Sequence, residues 1–416
     1  MRPLTIETIE QLNAGAGDES AGRRRLAFET FERIPMPTEK DEAWRYVELD
    51  LDLTDFALAG QPGSGLAPDH FVRAAGDVAG SAVIIDGFVA STEHDTKATF
   101  EATPDPGLGL LSPHTDKFAA AHLAFAGEGV VLEVPAGTTI DRPFLIDVQA
   151  STADTIGFPD VTVRVGADAE AAVLVVYRSA DGVRVAQAPH IAIEAGDASR
   201  LRLTQVQSLG DQATSITHQK VRIGRDATVR LGEVGLGGRF ARLDLGVDLV
   251  GDGSSAELVG LYFGERHQVL DYRLVMNHVG RRTSSDVYLK GALEDDARSV
   301  FTGLLRIERD ATRTSAFETN RNLVLSPGAK AHSVPNLEIL CDDVICGHAS
   351  SVGPLEEDHL YYLQSRGLSK ERAERVLLRG FFAEVIDRLP SPRLAEPIKT
   401  VVNRRFSEAQ AEGRIA

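Results

Sequence analysis

VTVRVGADA (161–169), HIAIEAGDA (190–198) and KVRIGRDA (220–227) share one plan: an alternating apolar run breaks into a short Gly/Asp turn that ends on alanine. GSSA (253–256) continues the series, and its closing alanine, like Ala169, Ala198 and Ala227 before it, falls 29 residues after the last. Looser copies follow, DDA ending at Ala297 and GAKA ending at Ala331. β-Branched runs of period two predict strands, and the Gly and Asp between them predict turns. A fixed step of this size predicts stacked strand–turn–strand units that bury one continuous core between neighbours. A parallel β-helix and a long antiparallel meander both have this pattern. The β-helix is favoured, because repetition in register stacks equivalent apolar side chains coil upon coil.

Outward from the repeat the period changes. Ile6, Ile9 and Leu12, then Leu26, Phe28 and Phe31, recur at roughly helical spacing. Asp18 is placed to cap the second run, and PMP at 35–37 stops it, since proline cannot donate a helical hydrogen bond. Residues 51–80 are rich in Gly, Pro and Ala and read as an irregular lead-in. At the other end, Pro354 and the acidic Glu356–Asp358 precede a short helix that stops at Arg366-Gly367. Ser369 caps a longer helix with an apolar stripe of Leu377, Leu378, Phe381, Phe382, Val385 and Ile386, and Pro390 ends it. That stripe is wide enough for a partner contact, although core packing explains each residue. A third helix is expected over about 393–411. The chain thus divides into a helical segment (1–80), a central β-helix (81–353) and a C-terminal helical segment (354–416). Since a solenoid needs its ends covered, the two helical segments are expected to cap it.

The chain has 416 residues, 43% of them apolar and 25% charged, the mix of a soluble globular protein. Its net charge of −17 lies mostly between residues 51 and 354 and argues against a nucleic-acid surface. The densest apolar stretch, Ala171 to Tyr177, is far short of the ~20 residues of a membrane-spanning helix. MRPLTIETIEQLNAG lacks a continuous apolar run, so no secretory leader is expected. Two cysteines in so long a chain exclude a disulfide framework and suit a reducing cytoplasm.

No G-x-x-x-x-G-K-[ST], G-x-S-x-G or H-E-x-x-H pattern occurs, and GLGGRF (235–240) reads as a turn. One constellation stands out: Cys341, Cys346 and His348 fall within eight residues, with His332 upstream. Thiolate and imidazole suit zinc, copper(I) and iron–sulfur centres, although C-x4-C-x-H is not a recognised zinc spacing. In a regular strand the odd separation of Cys341 and Cys346 puts them on opposite faces, whereas Cys346 and His348 share one. Both cysteines also fit as small core residues. A stand-alone zinc protein using Cys341, Cys346, His348 and His332 is one alternative. A β-helix carbohydrate-active enzyme, which needs clustered carboxylates, is another.

At these residues the chain resembles a known family. Residues 317–390, from FETNRNLVLSPGAKAHSVPNLEILCDDVICGHASSVG onward, resemble the C-terminal half of the SufB/SufD iron–sulfur cluster assembly proteins. NHVGRRTSSDVYLKGALEDDARSVFTG (277–303) is similar to their core block, and PTEKDEAWRY (37–46) resembles a signature of the SufD branch. The resemblance implies a right-handed parallel β-helix between helical domains, in a non-catalytic scaffold subunit of a SufB–SufC–SufD complex. It also implies a SufC-like ATPase docked on the C-terminal helices, so that this chain binds no nucleotide itself. A SufB-like partner or a second copy would complete a dimer, with iron or a transient iron–sulfur cluster held between subunits. In the SufB branch a cysteine used in cluster assembly precedes G-A-H-T-V-P; here the register reads Ala329-Lys330-Ala331-His332-Ser333-Val334-Pro335 and the thiol is absent. In the SufD branch the histidine of a C-x-H-G-A motif faces that cysteine across the dimer. The matching residue here is His348, with Cys346 as a second candidate ligand and Ala349 where glycine is usual.

Overall fold

The computed structural model describes residues 1–14, 17–104 and 109–411. Strands Gly80–Ile85, Phe144–Ala150, Glu170–Ser179, Arg200–Ser208, Thr228–Gly235, Ser255–Gly264, Ser284–Leu293, Thr314–Val324 and Val344–Gly353 pair in that order, all parallel, as one wall. Strands Gly129–Val134, Asp160–Val165, His190–Ala195, Ala213–Ile223, Phe240–Leu249, Val269–His278, Arg298–Ile307 and Lys330–Ile339 form the facing wall. The chain contributes one strand to each wall per coil, which makes a β-solenoid. Alternation along each strand sends one row of side chains into the lumen and the other outward. The lumen row is mostly Val, Leu and Ile stacked in register; Leu203, Leu231, Leu258 and Val287 form one such ladder.

The turns stack as well as the strands. Asp168, Ala198, Asp226, Gly253, Arg282 and Arg313 all have positive φ. The N–H of each donates to a carbonyl in the next turn: Asp168 to Asp197 and Ala198 to Arg225 at 2.8 Å, and so on to Arg313 and Asp343 at 2.6 Å. Asp, whose short polar side chain tolerates this conformation, and Gly, which has no Cβ, fill three of the six positions, and Ala198, Arg282 and Arg313 adopt it within the same stacked turns. Turns lie so close that a Cβ on Gly166 would fall 2.5 Å from the backbone nitrogen of Ala136. The constant step of 29 is nevertheless not the structural one. Residues in register run 170, 200, 228, 255, 284 and 315, so Ala169 is equivalent to Ser199, not to Ala198. Successive coils take 30, 28, 27, 29 and 31 residues, and only their mean matches the sequence period.

The helices do not cap the ends. Helices α1 (Ile6–Leu12), α2 (Asp18–Arg33), α3 (His70–Ala74) and α4 (Lys117–Phe125) precede or interrupt the first coils, while α5 (Glu357–Ser365), α6 (Lys370–Arg388) and α7 (Ala395–Ala411) follow the last. Asp18 is the first residue of α2 and not its cap, which is Gly17. Phe28, Phe31, Trp44, Phe118 and Phe125 pack on the outer face of one wall, reaching Phe158, Ile216 and Phe240. On the other wall Leu378, Phe382, Val385 and Ile386 of α6, with Ile398, Val402 and Phe406 of α7, cover Leu174, Val206, Val234, Leu261 and Phe263. Both helical segments therefore lie along the flanks, where each wall turns an apolar row outward. The Phe stripe of α6 is core. At the start of the solenoid two antiparallel strands, Phe88–His94 and Thr99–Thr103, close the walls. No helix of the described residues is long and apolar enough to cross a membrane.

Candidate functional site

The last coil, Lys330–Ile339 with Val344–Gly353, ends both sheets, and nothing among the described residues pairs with its outer edges. An unpaired edge offers a row of free N–H and C=O groups to another chain. Apolar side chains are exposed here in number: Leu337, Ile339, Leu340 and Val352 around the mouth, with Phe317 and Ile345 on the outer face. Ile345 is 68% exposed. Contiguous exposure of this kind marks an interaction surface.

His348 stands in this coil. It is exposed and lies in register with Glu318, which in turn continues the Leu203–Leu231–Leu258–Val287 ladder. An apolar lumen row thus becomes ionisable in its final two rungs. His348 faces the mouth of the lumen and is uncovered only because no further coil follows. Glu318 is buried, and neither carboxyl oxygen has a hydrogen-bond partner among the described residues. It reaches across the lumen to Gly303, where a Cβ would collide with both oxygens. Burial raises its pKa to about 8, so the acid is neutral at pH 7.

Cys346 lies two residues before His348 on the same face and packs against the lumen core, in register with Ala316. Cys341 departs from expectation. It sits at the corner between strands, where the parity rule does not apply, and it too is buried in the lumen core. His332 faces the other way. Its strand neighbour Val300 packs with the N-terminal segment, and its ring stacks on Tyr46 with centroids 4.8 Å apart. Burial, with Lys330 and Arg298 nearby, lowers its pKa. The structure therefore gathers Cys346 and His348 on one surface and leaves His332 out, against a four-residue zinc site. Glu318 escapes sequence reading because only the true coil register puts it beneath His348.

A second exposed surface lies on the C-terminal helices. α5 has no buried residue; Tyr361 is 75% exposed, and Tyr362 and, on α6, Val376 are exposed beside it. Gly367, with φ of 92°, ends α5 and turns the chain into α6. α6 itself is fixed to the wall: Arg388 bonds Asp286 at 2.5 Å and Glu257 at 3.0 Å, and Glu384 accepts from Tyr288 at 2.7 Å.

Comparison with known proteins identifies the family. Residues 148–381 match the family model for the SUF system FeS cluster assembly, SufBD core domain. An iron–sulfur cluster assembly SufBD family protein of Mycobacterium tuberculosis is 34% identical over 310 residues, 73% of this chain and 77% of the relative. The iron–sulfur cluster assembly protein SufD of Bacillus subtilis is 29% identical over 70% of this chain and 67% of its own length. SufD of Escherichia coli is 23% identical over 90% of both chains. The family model spans more than half of the chain, and within it lie most of the stacked coils, Glu318 and His348: this protein belongs to the SufBD family of iron–sulfur cluster assembly proteins.

Proposed function

We propose that the chain is a SufD-type subunit, a non-catalytic cytoplasmic scaffold whose open terminal coil pairs with a SufB-like chain and presents His348 to the joint. The observation that carries this reading is the uncapped coil, which exposes the His348 imidazole together with Leu337, Ile339, Leu340 and Val352. Neutral imidazole is a borderline-soft ligand suited to iron, and a cysteine from the partner would supply the sulfur donor. The iron or nascent cluster is cargo held between two chains; Cys346, half-buried against core, is the weaker second ligand. A second copy of this chain could occupy the same edge. The exposed α5 and the start of α6 would be the docking surface for a SufC-like ATPase, leaving nucleotide hydrolysis to that partner. In this reading residues 1–80 brace one wall, 81–353 form the scaffold and 354–416 carry the ATPase contact.

His348→Ala tests the reading. The side chain is exposed, so the isolated variant should melt within a degree or two of the parent. In a complex reconstituted with the cognate SufB-like and SufC-like chains, cluster formation followed by absorbance should fall at least tenfold while co-elution is unchanged. Cluster formation at the parent rate would remove the ligand role.

A further inference from the structure

Far from the open coil, α4 covers a buried set of ligand-type side chains on the opposite wall. Asp160, His190 and His218 occupy one register position on three successive strands, and Asp244 follows them. Over this ladder α4 lays His122, with Asp116 at its N-cap. His122, Asp160 and His190 are wholly buried and offer one ligand atom each within 4.8 Å of one another.

Hydrogen bonding among these groups does not close. His122 Nδ1 lies 2.8 Å from the carbonyl oxygen of Ala188, which can only accept, so Nδ1 carries a proton. Neutral His122 then turns the lone pair of Nε2 toward Asp160 Oδ2 at 2.8 Å, an acceptor facing a carboxylate. Either a second proton or a cation must lie between them. His190 Nδ1 lies 3.1 Å from the same oxygen. Asp160 Oδ1, His190 Nε2 and His218 Nδ1 are buried with no hydrogen-bond partner among the described residues. The neighbouring aspartates are paired elsewhere: Asp116 with His218 Nε2 at 3.1 Å, Asp244 with Lys220 and Asp271 with Arg242, which leaves Asp160 with the two imidazoles alone.

We propose that His122, Asp160 and His190 form a buried binding site for a divalent transition ion of the zinc class, which pins α4 to the solenoid wall. Two imidazoles and a carboxylate are a zinc-type donor set, and a histidine ligand commonly donates its other N–H to a backbone carbonyl, as His122 does to Ala188. Ligand atoms on a tetrahedral ion with bonds of about 2.0 Å lie about 3.3 Å apart, so the 2.8 and 3.1 Å to Asp160 need to open by a few tenths, and the two imidazole nitrogens, within 4.8 Å of each other, need to close onto the ion. The unpartnered Asp160 Oδ1 is free to complete the shell. This ion would be resident and separate from the cargo at His348. Being enclosed, it would enter as the chain folds.

The test is the metal content of the full chain produced in zinc-supplemented medium and then dialysed against EDTA. The expected result is about one zinc per chain, lost in His190→Gln and in Asp160→Asn but kept in the double variant Cys346→Ser, His348→Ala. Should the first two variants fail to fold, the nitrogen-15 spectrum of His122 in the parent decides. A metal-bound Nε2 with protonated Nδ1 supports the site. Zinc below a tenth per chain with His122 protonated on both nitrogens, or zinc lost only in the Cys346/His348 variant, overturns it.

Discussion

A chain carrying both Leu337→Lys and Val352→Lys should stay folded and fail to pair. The two residues lie on the two strands of the terminal coil and are exposed at its mouth, so the monomer loses little by their replacement. Lysine is the side chain with which natural sheets block edge-to-edge association. In a joint formed over this coil, two ammonium groups would be trapped without partners. Burying a charge unpaired costs several kcal/mol, so affinity for a SufB-like chain should fall by about 100-fold or more. Sedimentation of the mixed chains reads this directly, with melting of the isolated variant as the control for folding. Pairing at the parent affinity would show that the joint lies elsewhere.

The second large effect concerns acids inside the lumen. Glu233 and Glu318 are both raised to about 8, chiefly by burial; for Glu233 a hydrogen bond from Gln205 at 2.8 Å only partly offsets it. Each is protonated in the fold at neutral pH and ionised in the unfolded chain above about 4.5. A carboxyl with a raised folded pKa contributes most below the unfolded value, and that contribution is lost as pH rises toward 8. The loss is about 1.4 kcal/mol per pH unit for each group across that window. His278, held down to about 4 by burial, works in the opposite direction between about 4 and 6.5. The steepest fall in stability is therefore expected between pH 6.5 and 8. The double variant Glu233→Gln, Glu318→Gln keeps the shape and removes the titration. Urea unfolding should show it more stable than the parent by several kcal/mol at pH 8 and nearly equal at pH 5. Parallel stability curves for the two proteins would mean the acids are solvated.

The solenoid was legible because its cause is local. Alternating β-branched runs recur from coil to coil, cut by short turns rich in Gly and Asp, and they appear in the sequence where they act. The exact register was not, because coils vary by a residue or two and one slip exchanges inward for outward positions. Cys346 and His348 share a strand, so parity placed them correctly; Cys341 sits at a corner, where parity has no meaning. The apolar stripe of α6 announces that Phe382 and Ile386 must be buried, but amphipathicity does not say against what, and the helices expected at the ends lie along the flanks. Asp160, His190 and His218 are ordinary strand residues in sequence. They become a cluster only when three coils are stacked and α4 brings His122 down on them.

Central to the account is the open final coil as the face that joins this chain to a SufB-like subunit. Amide hydrogen exchange of the chain, alone and with that partner, measures it strand by strand. The alternate amides of residues 330–339 and 344–353 that point to the open edge should exchange freely in the isolated chain and become protected on pairing, with the flanking helices α1, α2 and α7 unchanged. Formation of the complex with those two strands exchanging as before would contradict it.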